Sequence, residues 1–264
     1  MTDVLRTVLA DLAAEGDRLD ALVTDLDDAG WHTPTPAAGW DVAAQVAHLT
    51  WTDEVATLAA RAGTPEGKAA WDDVVLAAIA DPDGFVDASA LEISRDPDLL
   101  DRWRRGRKEL ATALAEVPHG EKLPWFGPPM SPTSMATARF METWAHGLDV
   151  HEALGVEPEE STRIRHVAHL GVRTRNFAFA THGLDKPAEE FRIDLAAPDG
   201  DVWTWGPEDA AQTVTGSAVD FCRLVTQRVH RSDTDLVASG PEADRWLDIA
   251  QAFAGPPGEG RAAR

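Results

Sequence analysis

The sequence predicts a chain that is all-α and then α+β, a helical bundle followed by a smaller α+β domain. Three observations lead to this prediction. Apolar residues recur at three- and four-residue spacing through the first half of the chain. The spacing changes to alternation around Phe191, Ile193 and Leu195. Pro158 lies between the two patterns, so we expect domains at 1–157 and 158–254 and a disordered tail at 255–264.

The helices of the first domain are predicted from apolar stripes and from the residues that begin and end helices. One stripe runs from Val4 to Leu26, and a stretch rich in glycine, proline and threonine follows at 28–40. Asp41 suits the N-cap or first turn of a helix that ends near Gly63. Further helices are expected at 69–80, 97–117 and 134–154, the last two separated by a proline- and glycine-rich loop at 118–132.

The second domain is predicted to combine helices with a small sheet. A helix is expected at 161–182. A Pro-Asp-Gly turn joins the alternating residues 191–195 to the segment VWTW at 202–205, which is typical of a β-hairpin. The remaining expected elements are strands at 212–215 and 235–239 and helices at 217–229 and 241–253.

The charge balance excludes several classes of function. The 264 residues carry 24 Lys plus Arg against 45 Asp plus Glu, a formal charge of −21. Binding to nucleic acid or to an anionic membrane needs clustered basic residues, so neither is expected. No apolar run is long enough to span a bilayer, and the N-terminal segment lacks the basic region of a signal peptide. We therefore expect a cytoplasmic protein that binds neither nucleic acid nor a membrane.

Cys222 is the only cysteine, so neither an intrachain disulfide nor a thiolate-rich zinc cluster can form. It lies among apolar residues of a predicted helix, which indicates an inert core residue. The chain has no tyrosine, so a phenolic acid or base is excluded as well. Any thiol chemistry would need a thiol from outside the chain.

The strongest chemical motif is the segment ETWAHGLDVHEALG. Glu142 and His146 are four residues apart on one predicted helix, so their side chains leave the same face about one turn apart. Such a pair can bind one divalent ion with a third ligand from another helix, and His48 in the apolar segment QVAHL is the candidate. Two histidines and one carboxylate leave positions open for substrate. The simpler interpretation is a solvated Glu–His pair and a packed core histidine.

These segments together resemble a known family. GWDVAAQVAHL and METWAHGLDVHEALG are similar to the metal-binding N-terminal domain of mycothiol-dependent maleylpyruvate isomerases, within the DinB-like superfamily. The second half, with WTWGPEDAAQTVTGSAVDFCRLVTQR, resembles the accompanying α+β domain, a fold related to sterol carrier proteins. The resemblance covers about residues 1–254. It implies a DinB-like four-helix bundle in which His48, Glu142 and His146 bind a divalent metal. Gln45 is a departure, because relatives often have aspartate there.

The resemblance also implies an activity. The protein would be a metal-dependent enzyme that uses mycothiol or another small thiol for isomerisation or S-transfer on a small electrophile, with the metal-bound thiolate as nucleophile. Zinc is the first choice of metal, with nickel or iron as alternatives. Arg228 matches an arginine that ends the same C-terminal helix in relatives and assists the active site, so it is the predicted catalytic residue.

Two other functions stay open at this point. The same triad suits a metalloenzyme that uses no thiol, with iron in oxygen chemistry or zinc as a Lewis acid. The chain could also be a non-catalytic protein that binds a metal or an apolar ligand. The substrate, the thiol, the metal and the choice between monomer and homodimer do not follow from the sequence.

Several other residues have competing structural and functional interpretations. Arg139, one turn before the glutamate of the motif, is expected on the helix surface rather than at an anionic substrate. His151 falls on the face opposite the motif and is excluded from the site. Asp149 orients a ligand, caps the region of Trp40 or is a solvated helix acid. Trp125 and Phe126 either pack against the bundle or form a lid or wall of the site.

Overall fold

The computed structural model describes residues 1–82, 84–253, 255, 257–258 and 260–264. They divide into two compact units, Met1–Pro158 and Glu159–Arg264. The first unit is helical and the second combines helices with a four-stranded sheet, so the predicted fold class is confirmed. None of the helices within these described ranges has the length and apolar character needed to cross a membrane.

The first unit is built on four long helices that pack together as a bundle. The central helix of the bundle is α3, which contacts both α6 and α7, and α1 also packs against α6 and α7. The helices of this unit are α1 (Asp3–Val23), α2 (Asp28–Trp31), α3 (Val42–Arg61), α4 (Pro65–Ala80), α5 (Phe85–Ile93), α6 (Leu99–Glu116) and α7 (Pro132–Leu154).

Local sequence explains where the two site-bearing helices begin and end. Asp41 is the N-cap of α3, as predicted, and its side chain accepts a hydrogen bond from the backbone N–H of Ala44. Ser131 caps α7 in the same way, and Pro132 follows in the first turn. Gly155 ends α7 in the left-handed region at φ 66°, a conformation that glycine adopts without a steric penalty.

Two short helices of this unit were not expected. Helix α2 lies within the predicted break at 28–40, because the Asp27 side chain caps it by accepting from the N–H of Gly30. Helix α5 is stabilised by packing against α3, which buries Ala90 and Ile93. The local apolar pattern of a sequence does not reveal a tertiary contact of this kind.

The second unit contains a mixed sheet in the order β2-β1-β3-β4. Strand β1 (Arg192–Ala196) pairs antiparallel with β2 (Val202–Trp205), which is the predicted hairpin. On its other side β1 is parallel to β3 (Thr213–Ser217), and β3 is antiparallel to β4 (Val237–Ser239). The α-helices of this unit are α8 (Arg165–Arg173), α9 (Arg175–Thr181), α10 (Ala218–Val225) and α11 (Pro241–Ile249).

Three helix predictions for this unit are corrected. The single helix expected at 161–182 is a 3-10 turn followed by two helices, α8 and α9. The two helices separate at Thr174, where the hydroxyl donates a hydrogen bond to the carbonyl of Gln251 at 2.8 Å. Helix α10 ends before 229 because Gln227 adopts a left-handed φ of 59°. Helix α11 ends at Ile249 rather than 253. In the predicted tail the described positions form no helix or strand, and residues 256 and 259 lie outside the described residues.

Candidate metal centre

The three predicted ligands come together between two helices of the bundle. His48 is on α3, and Glu142 and His146 are on α7, which packs against α3. The spacing of four residues places the two α7 side chains on one face, and that face meets His48. One ligand atom from each side chain lies within 4.8 Å of the other two.

The distances between the donor atoms suit a single divalent ion. His48 Nε2 lies 3.3 Å from Oε2 of Glu142, and His146 Nε2 lies 3.2 Å from the same oxygen. Two ligand atoms that are each about 2.1 Å from a tetrahedral zinc ion are about 3.4 Å apart. Two imidazoles and one carboxylate therefore fit a divalent metal, with a coordination position left for a further ligand.

The Gln45 side chain determines which nitrogen of His146 faces the other ligands. The Thr35 hydroxyl donates to the carbonyl of Trp40 at 2.9 Å, so its oxygen accepts from Nε2 of Gln45, also at 2.9 Å. This bond leaves Gln45 Oε1 facing Nδ1 of His146 at 2.5 Å. Because an amide oxygen can only accept, Nδ1 carries the proton and Nε2 is the free ligand atom.

His48 is held by packing rather than by a comparable hydrogen bond. Its side chain is buried, and its Nδ1 has no hydrogen-bond partner within the part of the chain that the structure describes. The ring of Trp40 lies 5.3 Å from the His48 ring and stacks on the His146 ring at 5.9 Å. Trp40 therefore covers both imidazoles on one side and limits the access of water to them.

Glu142 is held in its ionised form. Burial, the largest influence, acts to raise the pKa of this carboxyl, but its contacts with His146 and His48 and the positive charge of Arg139 outweigh burial. The pKa of Glu142 therefore lies well below its usual value of 4.5. The carboxylate is the form that binds a divalent cation.

Arg139 is buried, so its predicted place on the helix surface is wrong. The residue is 2% exposed, and its Nε donates to Oδ1 of Asp53 at 2.9 Å. The Nη2 group donates to the Thr52 hydroxyl at 2.5 Å. The pKa of Asp53 is raised, because burial outweighs the charge and hydrogen bond of Arg139. The guanidinium is thus bound within the bundle and out of reach of an anionic substrate.

The remaining predicted residues lie elsewhere. Arg228 follows α10 in the second unit, where its Nη1 donates to the carbonyl of Thr226 at 2.6 Å, and its catalytic role stays a prediction. His151 is outside the ligand cluster, with Nδ1 donating to the carbonyl of Val156. Asp149 is 1% exposed, which excludes its interpretation as a solvated acid. Cys222 is buried, and burial raises the pKa of its thiol.

Sequence analysis missed two residues that support this site. Asp53 follows His48 by five residues in an apolar helix, and its charge is opposite to that of Arg139 beside Glu142. An acid on one ligand-bearing helix and a base on the other could have indicated a buried ion pair. Thr35 gave no signal, because it lies in the irregular segment before α3.

Sequence comparisons match the two parts of the chain to different family models. The model described as mycothiol maleylpyruvate isomerase N-terminal domain matches residues 12–151, which include all three predicted ligands. The model described as wyosine base formation matches residues 187–239. Uncharacterized proteins from two strains of Mycobacterium tuberculosis are 55% identical over 255 residues, 96% of this chain and 97% of theirs.

Comparison with solved structures finds the same fold in an isomerase. A crystal structure described as the mycothiol-dependent maleylpyruvate isomerase matches with a TM-score of 0.58 and 15% identity. A histidine-to-alanine mutant of that isomerase matches with a TM-score of 0.59 at the same identity. Each match covers 92% of this chain and 98% of the other. At this identity the likeness shows the fold, and the predicted relation of the second domain to sterol carrier proteins stays a prediction.

Proposed function

This chain belongs to the family of the mycothiol maleylpyruvate isomerase N-terminal domain, and from that premise we propose that it is a divalent-metal-dependent enzyme. In this proposal it uses mycothiol or another small thiol in isomerisation or S-transfer on a small electrophilic substrate. The observation that carries the proposal is the convergence of His48, Glu142 and His146 on one point between α3 and α7.

Each residue of the site has a part in this proposal. His48, Glu142 and His146 would hold the ion, and Gln45 keeps Nε2 of His146 unprotonated and directed toward it. An ion held there would lower the pKa of a thiol that reaches it and polarise a substrate carbonyl. Trp40 limits hydration on one side of the ligands, which strengthens electrostatic interactions within the site.

The nucleophilic sulfur in this proposal comes from outside the chain. Cys222 is the only cysteine, and it is buried with its Sγ donating to the carbonyl of Ile164. Burial also raises the pKa of this thiol, so it is a poor nucleophile. In the isomerisation, the thiol sulfur adds to one carbon of a double bond, the resulting single bond rotates, and elimination returns the thiol unchanged.

Removal of metal is expected to stop thiol-dependent turnover. The assay follows a cis-to-trans change in an activated alkene and, in parallel, the loss of free thiol with a panel of electrophiles. We expect both rates to fall to the uncatalysed rate after chelation and dialysis, and to return when zinc is restored. The metal content is measured in each sample by elemental analysis.

Two outcomes of this assay would oppose the proposal. Full activity in metal-free protein would show that the cluster is not catalytic. Turnover that needs iron and oxygen but no thiol would instead support the alternative of an iron enzyme on the same two histidines and one carboxylate. Reconstitution with zinc, nickel and iron in separate samples distinguishes these outcomes.

Substitution of Gln45 by leucine is expected to weaken zinc binding about 10- to 100-fold, the usual effect of losing a residue that orients a metal ligand. Leucine removes the acceptor that keeps the proton of His146 on Nδ1. Gln45→Glu is the matched variant, because a carboxylate also accepts from Nδ1, and it should retain most of the affinity. Titration calorimetry with zinc chloride on chelated protein measures both. Equal affinities for the leucine variant and wild type would exclude this role for Gln45.

A further inference from the structure

A row of aromatic side chains begins at His48 and continues across the first unit. The Trp51 ring lies 6.4 Å from the His48 ring, and the Phe85 ring meets Trp51 edge-on at 5.2 Å. Phe126 follows at 6.3 Å from Phe85. The Phe126 ring also contacts Trp71 at 5.4 Å and Trp125 at 5.2 Å. We call Trp51, Phe85, Phe126, Trp71 and Trp125 the aromatic row.

Four members of the aromatic row are too exposed to be ordinary core. Only Trp71 is buried, whereas Trp51, Phe85 and Trp125 are partly accessible and Phe126 is 46% exposed. Isolated exposed aromatic residues are common in soluble proteins, but contiguous exposed apolar surface marks binding sites. This row is contiguous and its first ring touches a candidate metal ligand, so it extends the site itself.

The far end of the row is held in place by the backbone. Leu123 and Met130 form an antiparallel bridge, with hydrogen bonds of 2.8 and 3.0 Å between their N–H and carbonyl groups. The bridge closes the loop that carries Trp125 and Phe126 directly before α7. Phe126 is therefore presented by a closed loop rather than by a free segment.

The charges on the helices beside the row disfavour an anionic ligand. Helices α4 and α5 carry the acids Glu66, Asp72, Asp73, Asp87 and Glu92 but only one base, Lys68, which is paired with Asp72 at 2.6 Å. Nearer the ligands, the guanidinium of Arg139 is bound to Asp53 within the bundle. These two helices therefore offer a carboxylate-bearing substrate no unpaired cation, and their excess of acids makes the approach of a further negative charge unfavourable.

We propose that the aromatic row is the substrate subsite of the metal centre and that it selects an uncharged, planar aromatic or conjugated electrophile. The reactive carbon would lie at the His48, Glu142 and His146 cluster, and the rings of the substrate would lie along Trp51 and Phe85 toward Phe126. Aromatic side chains favour flat apolar groups through buried area and offset or edge-on ring contacts. This inference deepens the proposed function and rests on it.

The test uses hydroxamates, whose head binds the metal while the tail is varied. Zinc-loaded full-length protein is titrated with acetohydroxamate, benzohydroxamate, biphenyl-4-carbohydroxamate and the monohydroxamate of succinic acid. We expect the affinity to rise about 10- to 100-fold from the acetyl to the biphenyl tail. The succinic tail should bind no better than acetyl, because the acids of α4 and α5 disfavour its carboxylate.

Variants of the row locate the tail. Phe85→Leu should weaken both aryl hydroxamates about 5- to 10-fold, and Phe126→Ser should weaken only the longer biphenyl compound, while acetohydroxamate binds each variant as it binds wild type. Phe177→Ser in the second unit is the matched control, since Phe177 is 42% exposed and outside the row. This control should bind all four compounds unchanged.

The acetohydroxamate titration separates failure of the subsite from failure of the proposed function. If acetohydroxamate does not bind zinc-loaded protein, the metal-centre proposal itself fails. If it binds but the aryl tails add no affinity, or the succinic tail binds tightest, the aromatic row is not the substrate subsite. Weakening of every compound by the same factor in Phe85→Leu would likewise overturn the proposal, because the variant would then act on the metal rather than on the tail.

Discussion

Replacing His146 with alanine is expected to weaken zinc binding about 10²- to 10³-fold. Structural zinc sites with four ligands bind with about 10–16 kcal/mol, so one ligand contributes about 3–4 kcal/mol, which corresponds to this factor. This loss of affinity exceeds the loss expected for Gln45→Leu. His146→Ala removes the metal-binding nitrogen itself, whereas Gln45→Leu removes only the hydrogen bond that orients it. Calorimetric titration with zinc measures the affinity, and elemental analysis measures the metal retained on purification.

The same helix offers a matched control for this variant. His151 lies five residues later on α7 and hydrogen-bonds to the Val156 carbonyl rather than to the ligand cluster, so His151→Ala should bind zinc as wild type does. Glu142→Gln keeps the shape of the side chain but removes its charge, and it should lose affinity by a factor similar to that of His146→Ala. If both ligand variants keep their helical circular dichroism and bind zinc normally, the ion is held elsewhere and the catalytic proposal loses its basis.

The ligand pair on α7 was predictable because its geometry is local. Any helix places residues four apart on one face, so Glu142 and His146 follow from the helix alone. His48 is different, since its position depends on which face of α3 meets α7. The apolar pattern identifies α3 as a helix and made His48 a candidate, because an imidazole among apolar residues needs a polar partner. The pattern does not show which helix supplies that partner, and the resemblance to a known family supported the pairing.

Prediction failed where tertiary contacts decide the structure. Arg139 was assigned to the surface because charged residues are rarely buried, yet its partner Asp53 lies 86 residues earlier on the facing helix. Helix α5 depends on packing against α3, and the division of α8 from α9 coincides with a bond from Thr174 to the distant Gln251. None of these partners is visible in a window of neighbouring residues.

The Arg139–Asp53 pair leads to the largest stability effect that we predict. Both side chains are 3% exposed, so removal of one charge leaves the other buried without compensation. Arg139→Met is expected to lower the free energy of unfolding by about 3–5 kcal/mol, whereas the double variant Arg139→Met/Asp53→Leu should recover most of that loss. Urea denaturation followed by circular dichroism measures both. Arg6→Met, in the exposed Arg6–Asp3 pair, is the control that should leave the urea midpoint unchanged.

The pH dependence of the Arg139→Met variant separates an unpaired charge from simple loss of packing. Burial already raises the pKa of Asp53, and loss of Arg139 removes the charge and hydrogen bond that oppose this effect. An acid whose pKa is higher in the folded than in the unfolded state binds more protons when folded, so stability falls as pH rises through that range. The variant should therefore lose more stability relative to wild type at pH 7.5 than at pH 5. A loss that is equal at both pH values, and that the double variant does not relieve, would instead indicate a packing defect around α3 and α7.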